Sequence, residues 1–382
     1  MKVPIARTKL DEKDFNIIKK PLESGWLVQG PYIKEFEDKW SDFINVKHSI
    51  AVTSCTTALH LSLAALGLNR DDEVIVPAFT WISSANVVEH LNATVVFCDI
   101  NLKTFNIDVN QIESKITHKT KAIIPVHIGG DMVDLDGLID IAKRYNTFVL
   151  EDAAHLIGNP ENKTYERYPN HAQAYSFYAN KNITTLGEGG ALATFNDELA
   201  SKVRRLSLHG ITRDGWDRYA GGKWEYDVTN LGFKYNMPDI AASFGLWQLS
   251  QLSKMQRRRK EIAKKYISGL KSIDGVITPS IEFEKNALHL FTIRFELEKW
   301  KLTRDQIIIK LIEMGISVSV HYKPIHLFTY YKINYGYSVG DFPRAEKLYG
   351  SIVSLPFYPL LKDNEINYIV NSIKTLSRKY LK

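Results

Sequence analysis

Between residues 49 and 154 the sequence switches repeatedly between short apolar runs and stretches of helical spacing. This alternation constrains the fold more than any other feature. The runs are SIAVTS (49–54), EVIVP (73–77), TVVFCDI (94–100), AIIPVH (122–127) and TFVLEDAA (147–154). They are nearly continuous in apolar residues, as in strands covered on both faces of a parallel sheet. TTALHLSLAAL (56–66), WISSANVVEHL (81–91) and GLIDIAKRY (137–145) read as the helices between them. Strand–helix alternation of this kind predicts an α/β layered architecture.

From about residue 195 the texture changes. LASKVRRLSLH (199–209) is helix-like, and residues 210–236 form a polar, aromatic, Gly-rich excursion. Excursions of that length tend to be functional or to bind partners. Residues 237–270 read as a long helix with a break expected near Leu252. The rest mixes strand and helix as in an α+β domain. The expected partition is a large domain over 1–250 and a smaller one over 251–382, in keeping with a chain of 382 residues.

Composition narrows the function classes. The net charge of +6, from 49 basic and 43 acidic residues, suits an anionic ligand without calling for nucleic acid. The densest basic run, KMQRRRKEIAKK (254–265), lacks interleaved aromatics and is expected to be a solvated helix face. Cys55 and Cys98 are too few for a disulfide framework, so a reducing cytoplasm is the expected home. No signal peptide is expected from MKVPIARTKLDEKDF, and no apolar run is long enough to span a bilayer. The spacing of His127, His321 and His326 does not suggest a metal site.

The segment YSFYANKNITTLGEGGALAT (175–194) sets one lysine, Lys181, between a strand-like run and a glycine-rich turn. A free amine is a poor nucleophile at neutral pH, but one held by a carbonyl cofactor becomes an anchor and then a proton carrier. Pyridoxal phosphate is the common case. It needs a lysine, a carboxylate at its ring nitrogen and a cup for its phosphate. Asp152 ends the strand VLED on the side where open α/β sheets bind ligands. VTSCTTAL (52–59) runs from strand into helix and offers free N–H groups, with hydroxyls from Ser54, Thr56 and Thr57. Trp81 could stack on the ring. Each feature alone is commonplace; their joint presence, in this order, is not.

At these residues the chain resembles the DegT/DnrJ/EryC1/StrS family of pyridoxal-phosphate-dependent sugar aminotransferases. The likeness covers nearly the whole length. SGWLVQGPYIKEFE (24–37), VPAFTWISSANVV (76–88), EDAAH (151–155), SFYANKNITTLGEGG (176–190), LHGITRDGWDRY (208–219), LGFKYNMPDIAAS (231–243), HYKPIHL (321–327) and SLPFYPLL (354–361) follow in family order. The resemblance implies an aspartate-aminotransferase-like fold (fold type I), with Lys181 holding the cofactor as a Schiff base and Asp152 paired to the ring nitrogen. It further implies His155 beside the ring, Trp81 over it, and Ser176, Thr56 and the Cys55 amide at the phosphate. Within the family the likeness is greatest to enzymes that aminate the 4-keto group of nucleotide-linked sugars, with L-glutamate as donor. A 3-ketosugar aminotransferase and a sugar dehydratase are the alternatives, although family dehydratases carry histidine where Lys181 stands. A cytoplasmic homodimer with shared active sites is implied, the 210–236 excursion completing the partner's site. The family's Asn-x-Arg at that place is Lys234-Tyr235-Asn236 here, which leaves open whether Lys234 or Asn236 reaches the phosphate. Arg213, Arg218 and Lys223 are candidate clamps for the nucleotide diphosphate, and His321 and His326 are candidate substrate contacts. A surface polysaccharide such as an O-antigen is the expected destination.

Overall fold

The computed structural model describes residues 1–8, 14–159, 166, 168–212 and 225–382. Helices α1 (Phe15–Ser24) and α2 (Pro31–Ile44) lead into β1 (His48–Val52) and α3 (Cys55–Ala65). Then come β2 (Glu73–Pro77), α4 (Ser83–Glu89), β3 (Thr94–Cys98), α5 (Val109–Ile112), β4 (Thr120–Ile123), α6 (Leu135–Tyr145) and β5 (Phe148–Asp152). After these lie β6 (His171–Ser176), β7 (Gly190–Thr194), α7 (Asp197–Leu206) and α8 (Asp239–Leu270). The chain finishes with β8 (Val276–Ile277), β9 (Phe291–Phe295), α9 (Arg304–Glu313), α10 (Thr329–Tyr335), α11 (Pro343–Ser351), β10 (Ile352–Leu355) and α12 (Asp363–Tyr380).

Among the described residues, seven strands form one sheet in the order β1-β7-β6-β5-β4-β2-β3. All run parallel except β7, which is antiparallel to both its neighbours. The expected α/β, mainly parallel fold of type I is therefore what the chain adopts. The apolar runs become strands because helices cover both faces. Helix α3 shows the effect: it lies against β5, β6 and β7, and its Cys55, Ala58, Leu59, Leu61 and Leu63 are all buried. A helix apolar on every side is one enclosed on every side. A three-stranded antiparallel sheet, β10-β9-β8, anchors the second, smaller core.

Helix α8 differs from expectation. It runs unbroken for 32 residues, about 48 Å at 1.5 Å per residue. Leu252 is buried in mid-helix, and no proline or glycine stands near it to break the turn. What changes there is the partner. Ala241, Ala242 and Leu252 pack in the core that holds Trp40 and Tyr175. Ile262, Ala263, Tyr266 and Leu270 pack in the core of the smaller sheet. The partition at 250/251 thus falls inside one element. Val3, from the start of the chain, joins the smaller core, while Ile325, Tyr331 and Leu348 join the larger. The basic run is likewise not wholly solvated. Arg258 and Lys265 pair with Asp363, but Arg259 is buried, its Nη1 donating to the carbonyls of Leu288, His289 and Phe357.

Candidate active site

The parallel strands end along one edge of the sheet, and the connections after β1, β2, β5 and β6 build a cleft there. It encloses about 460 Å³ and is lined by Ser54, Cys55, Thr56, Trp81, Asp152, His155, Ser176, Lys181, His321 and Tyr322, among others.

Lys181 lies in the loop joining β6 to β7. That loop is tight: Phe177 donates to the Gly189 carbonyl at 2.8 Å, Ala179 to Gly187 at 2.9 Å and Lys181 to Tyr178 at 2.9 Å. The glycines answer steric demands at two points. Gly187 has φ +113°, outside the usual range of side-chain-bearing residues. A Cβ on Gly190 would sit 2.3 Å from the Ser54 carbonyl carbon and 2.5 Å from the Cys55 nitrogen, so glycine lets β7 press against the start of α3. Burial lowers the Lys181 amine to about 8, with the charges of Asp152 and Cys55 pulling the other way.

Asp152 closes β5. Its Oδ2 accepts from Ser84 Oγ at 2.8 Å, and its Oδ1 from the Ala154 amide at 3.2 Å. The carboxylate is held in one orientation and is buried. Ser54 caps α3: its Oγ accepts from the Thr57 amide, while its own amide donates to Thr57 Oγ1. The Ser54 oxygen thus caps the helix while the residue lines the cleft. The amides of Cys55 and Thr56 have no partner among the described residues and remain free for an anion at the positive end of the helix dipole.

The outer wall comes from the smaller unit. Ser319 pairs with Ser354 beside β10, and the Ile325 amide donates to the Ala78 carbonyl at 2.7 Å. Between these ties, His321 bonds Ser354 Oγ through Nδ1 at 2.9 Å. Burial, then the charge of Lys181, lowers His321 to about 4. The Tyr322 ring centroid lies 5.9 Å from that of Trp81, which is 59% exposed. His155 is buried, and burial and the Lys181 charge hold its imidazole well below its usual range. A second cavity of about 550 Å³ opens on the other side of Lys181, toward Arg7, Gln248 and Tyr358. Neither Asp152 nor the free amides of α3 face it, so the first cleft is the one equipped for a phosphorylated aromatic ring.

The other expected residues lie elsewhere. His326 is fully buried, bonded to Glu346 and packed on Phe342, so it is a core residue and not a substrate contact. Lys234 and Asn236 do not line the cleft. Lys234 Nζ bonds Asn236 Oδ1 at 2.6 Å, and Asn236 borders a groove with Gly30, Arg204 and Thr212. Arg213, Arg218 and Lys223 lie outside the described residues. Sequence reasoning passed over Ser84 and Tyr322, although the motifs WISSANVV and HYKPIHL contain them. It passed over His289 entirely.

An amine, a fixed carboxylate and a free helix N-terminus at the carboxyl edge of such a sheet define the site of a fold type I pyridoxal-phosphate enzyme. Comparison with known proteins agrees. Residues 8–374 match the DegT/DnrJ/EryC1/StrS aminotransferase family, and the chain belongs to it. The chain is 40% identical to the spore coat polysaccharide biosynthesis protein SpsC of Bacillus subtilis, over 98% of this chain and 97% of that one. It is 35% identical to a UDP-4-amino-4-deoxy-L-arabinose–oxoglutarate aminotransferase of Shewanella sediminis, over 98% of each. Among solved structures, a putative sugar aminotransferase of Streptococcus pneumoniae in its pyridoxamine phosphate form superposes with a TM-score of 0.90 at 34% identity, covering 99% of both chains. The protein is a pyridoxal-phosphate-dependent sugar aminotransferase. No helix among the described residues is long and apolar enough to cross a membrane.

Proposed function

We propose that the protein transfers the amino group of L-glutamate to the 4-keto group of a nucleotide-linked deoxysugar, as a step in making a surface polysaccharide. The observation that carries this reading is a single cleft that holds the Lys181 amine, the Asp152 carboxylate and the two free amides of α3. The relatives named above support the 4-keto position, the oxoglutarate couple and the polysaccharide destination.

Bound pyridoxal phosphate supplies an electron-withdrawing ring at the carbon that exchanges the amine. Lys181 would hold the cofactor through its amine, and that amine would be the base that takes and returns the proton of the donor's α-carbon. A proton transfer positioned in this way contributes on the order of 10²–10⁴-fold. Asp152, oriented by Ser84 and the Ala154 amide, would place negative charge at the ring nitrogen. The Cys55 and Thr56 amides and the Ser176 hydroxyl would take the phosphate. Trp81 would shield the ring from solvent, and His155, held uncharged by burial, would lie beside it. His321 and Tyr322 form the wall against which the sugar rests. Arg213, Arg218 and Lys223 are proposed to hold the diphosphate.

A homodimer with shared sites fits the same reading. Lys234 and Asn236 lie outside their own cleft, and the neighbouring Tyr226, Val228 and Leu231 are exposed, Leu231 at 94%. Both cysteines are free and buried, which suits the reducing cytoplasm.

The test is amine transfer from glutamate to a panel of UDP-, dTDP- and GDP-linked 3- and 4-ketosugars. Turnover confined to 4-ketosugars is expected; turnover confined to 3-ketosugars overturns the regiochemistry. Lys181→Ala is expected to lose both turnover and the borohydride-fixable cofactor, and retention of either removes Lys181 from its role. Mixing Lys181→Ala with a Lys234→Ala/Asn236→Ala chain is expected to restore partial activity, because one site of the mixed dimer is intact.

A further inference from the structure

Behind the cleft, three separate stretches of chain meet at one buried ring, His289, two residues before β9. Asn182 directly follows Lys181. Its side-chain amide donates both hydrogens, to the carbonyls of Ile157 and Ala287, each at 2.8 Å. Its oxygen must then accept, and His289 Nδ1 lies 3.1 Å away. The partners therefore assign the proton of His289 to Nδ1.

The same ring lies on His155, with centroids 4.2 Å apart and planes inclined by 31°. His155 takes the opposite tautomer. Its Nδ1 accepts from the Gly129 amide at 3.3 Å, so Nε2–H donates to Tyr322 Oη at 3.0 Å. Gly129 closes the circuit: its carbonyl accepts from the amides of His289 at 3.0 Å and Leu290 at 3.2 Å. Burial keeps the His289 ring uncharged, reinforced by the neighbouring His155, Lys181, Arg259 and His321. A ring needed only to fill space would not require a donor. Here Asn182 has no other described donor for its oxygen, and losing that bond leaves a buried acceptor unsatisfied.

We propose that His289 is a positioning residue for transamination, holding Asn182 behind Lys181 and, through its ring contact, fixing the plane of His155 against Tyr322. It ties the amine and the His155–Tyr322 pair into one relative geometry without touching the reactants. The inference rests on the reading of Lys181 as the cofactor-bearing amine.

Two substitutions separate its duties. His289→Phe keeps the ring contact and loses the donor; His289→Asn keeps a donor at the Nδ1 position and loses the ring. Three readouts apply to the full-length protein: the pH midpoint for pyridoxal phosphate capture after the cofactor is stripped, the pH titration of the visible absorbance band of the holoenzyme, and kcat against KM. His289→Phe is expected to shift the capture midpoint and lower kcat about tenfold with KM for the ketosugar unchanged, the scale of one lost buried hydrogen bond. His289→Asn is expected to restore the capture midpoint while the absorbance titration stays displaced. Wild-type values in all three readouts for a folded His289→Phe protein overturn the proposal. Where that variant does not fold, a wild-type absorbance titration for His289→Asn overturns it, because that is the readout the lost ring must move. Lys181→Ala, run alongside, isolates the underlying reading: if it still yields a borohydride-fixed cofactor, the reading of Lys181 has failed, whatever His289 does.

Discussion

An enclosed ammonium group gives up its proton more readily than a solvated one, and at Lys181 burial outweighs the pull of Asp152 and Cys55. Cofactor capture by the stripped protein needs the neutral amine. Its rate is therefore expected to rise with pH through about 8, not through the ordinary lysine value of 10.5, when followed by absorbance. Asp152→Asn, which keeps the shape and removes the charge proposed to face the ring nitrogen, is expected to lower turnover by orders of magnitude. Ser84→Ala removes one of the bonds that orient the carboxylate and is expected to cost about 2 kcal/mol of stability in urea unfolding, the usual scale for a hydrogen bond to a charged group. Lys181, Asp152 and Trp81 were legible in the sequence because each sits in a motif beside a strand end. Ser84 and Tyr322 lay inside those motifs but carry no spacing signal of their own. His289 lies 108 residues from Lys181, and only tertiary folding brings it there. His326 misled because a histidine in a family-like segment looks the same whether it faces a cleft or a core.

At the level of elements, the approach of β7 to the turn before α3 depends on Gly190 having no side chain. Gly190→Ala is expected to force the two apart and cost about 2 kcal/mol, the scale of overpacking, with weaker cofactor retention measured by dialysis. On the opposite face of β5, Glu151 is buried and accepts from His127 Nε2 at 2.6 Å, from His171 Nε2 and from Gln173 Nε2 at 3.1 Å. Burial alone would raise this carboxyl, but the two histidines bring it down to about 2. Because its folded value is depressed, its contribution is present above the ordinary 4.5 and fades as pH falls toward about 2. Glu151→Gln is expected to cost about 3 kcal/mol at neutral pH, the scale of a broken buried pair. The apolar runs located the strands but not all their bounds: β2 (Glu73–Pro77) coincides with the run EVIVP, whereas β4 (Thr120–Ile123) shares only residues 122 and 123 with AIIPVH. The break placed at Leu252 was misjudged because a change of packing partner resembles, in sequence, a change of element.

Over the whole molecule, acid is the expected weakness. His155 and His289 are held well below their usual range, and His321 is lowered to about 4, in each case chiefly by burial. Unfolding frees these rings to bind protons near 6.5, so the unfolded chain takes up more protons than the folded one below that value. Stability is expected to fall between about pH 6.5 and 4 by up to about 1.4 kcal/mol per unit for each ring, and to be indifferent to these rings above it. Urea midpoints across that window test it. The division at 250/251 illustrates what sequence texture cannot convey: α8 crosses the place without pause and belongs to both cores.

The reversal of β7 beside β6 sets the terms on which the amine can travel. Both flanks of the Lys181 loop are clamped into the sheet, so its backbone is a fixed shoulder and its four-carbon stem is the only arm. In the role proposed for Lys181, every excursion from carrier to proton shuttle must come from rotation about side-chain bonds. Alterations in tempo should then follow from what the arm meets on its way, and not from any slackening at its root.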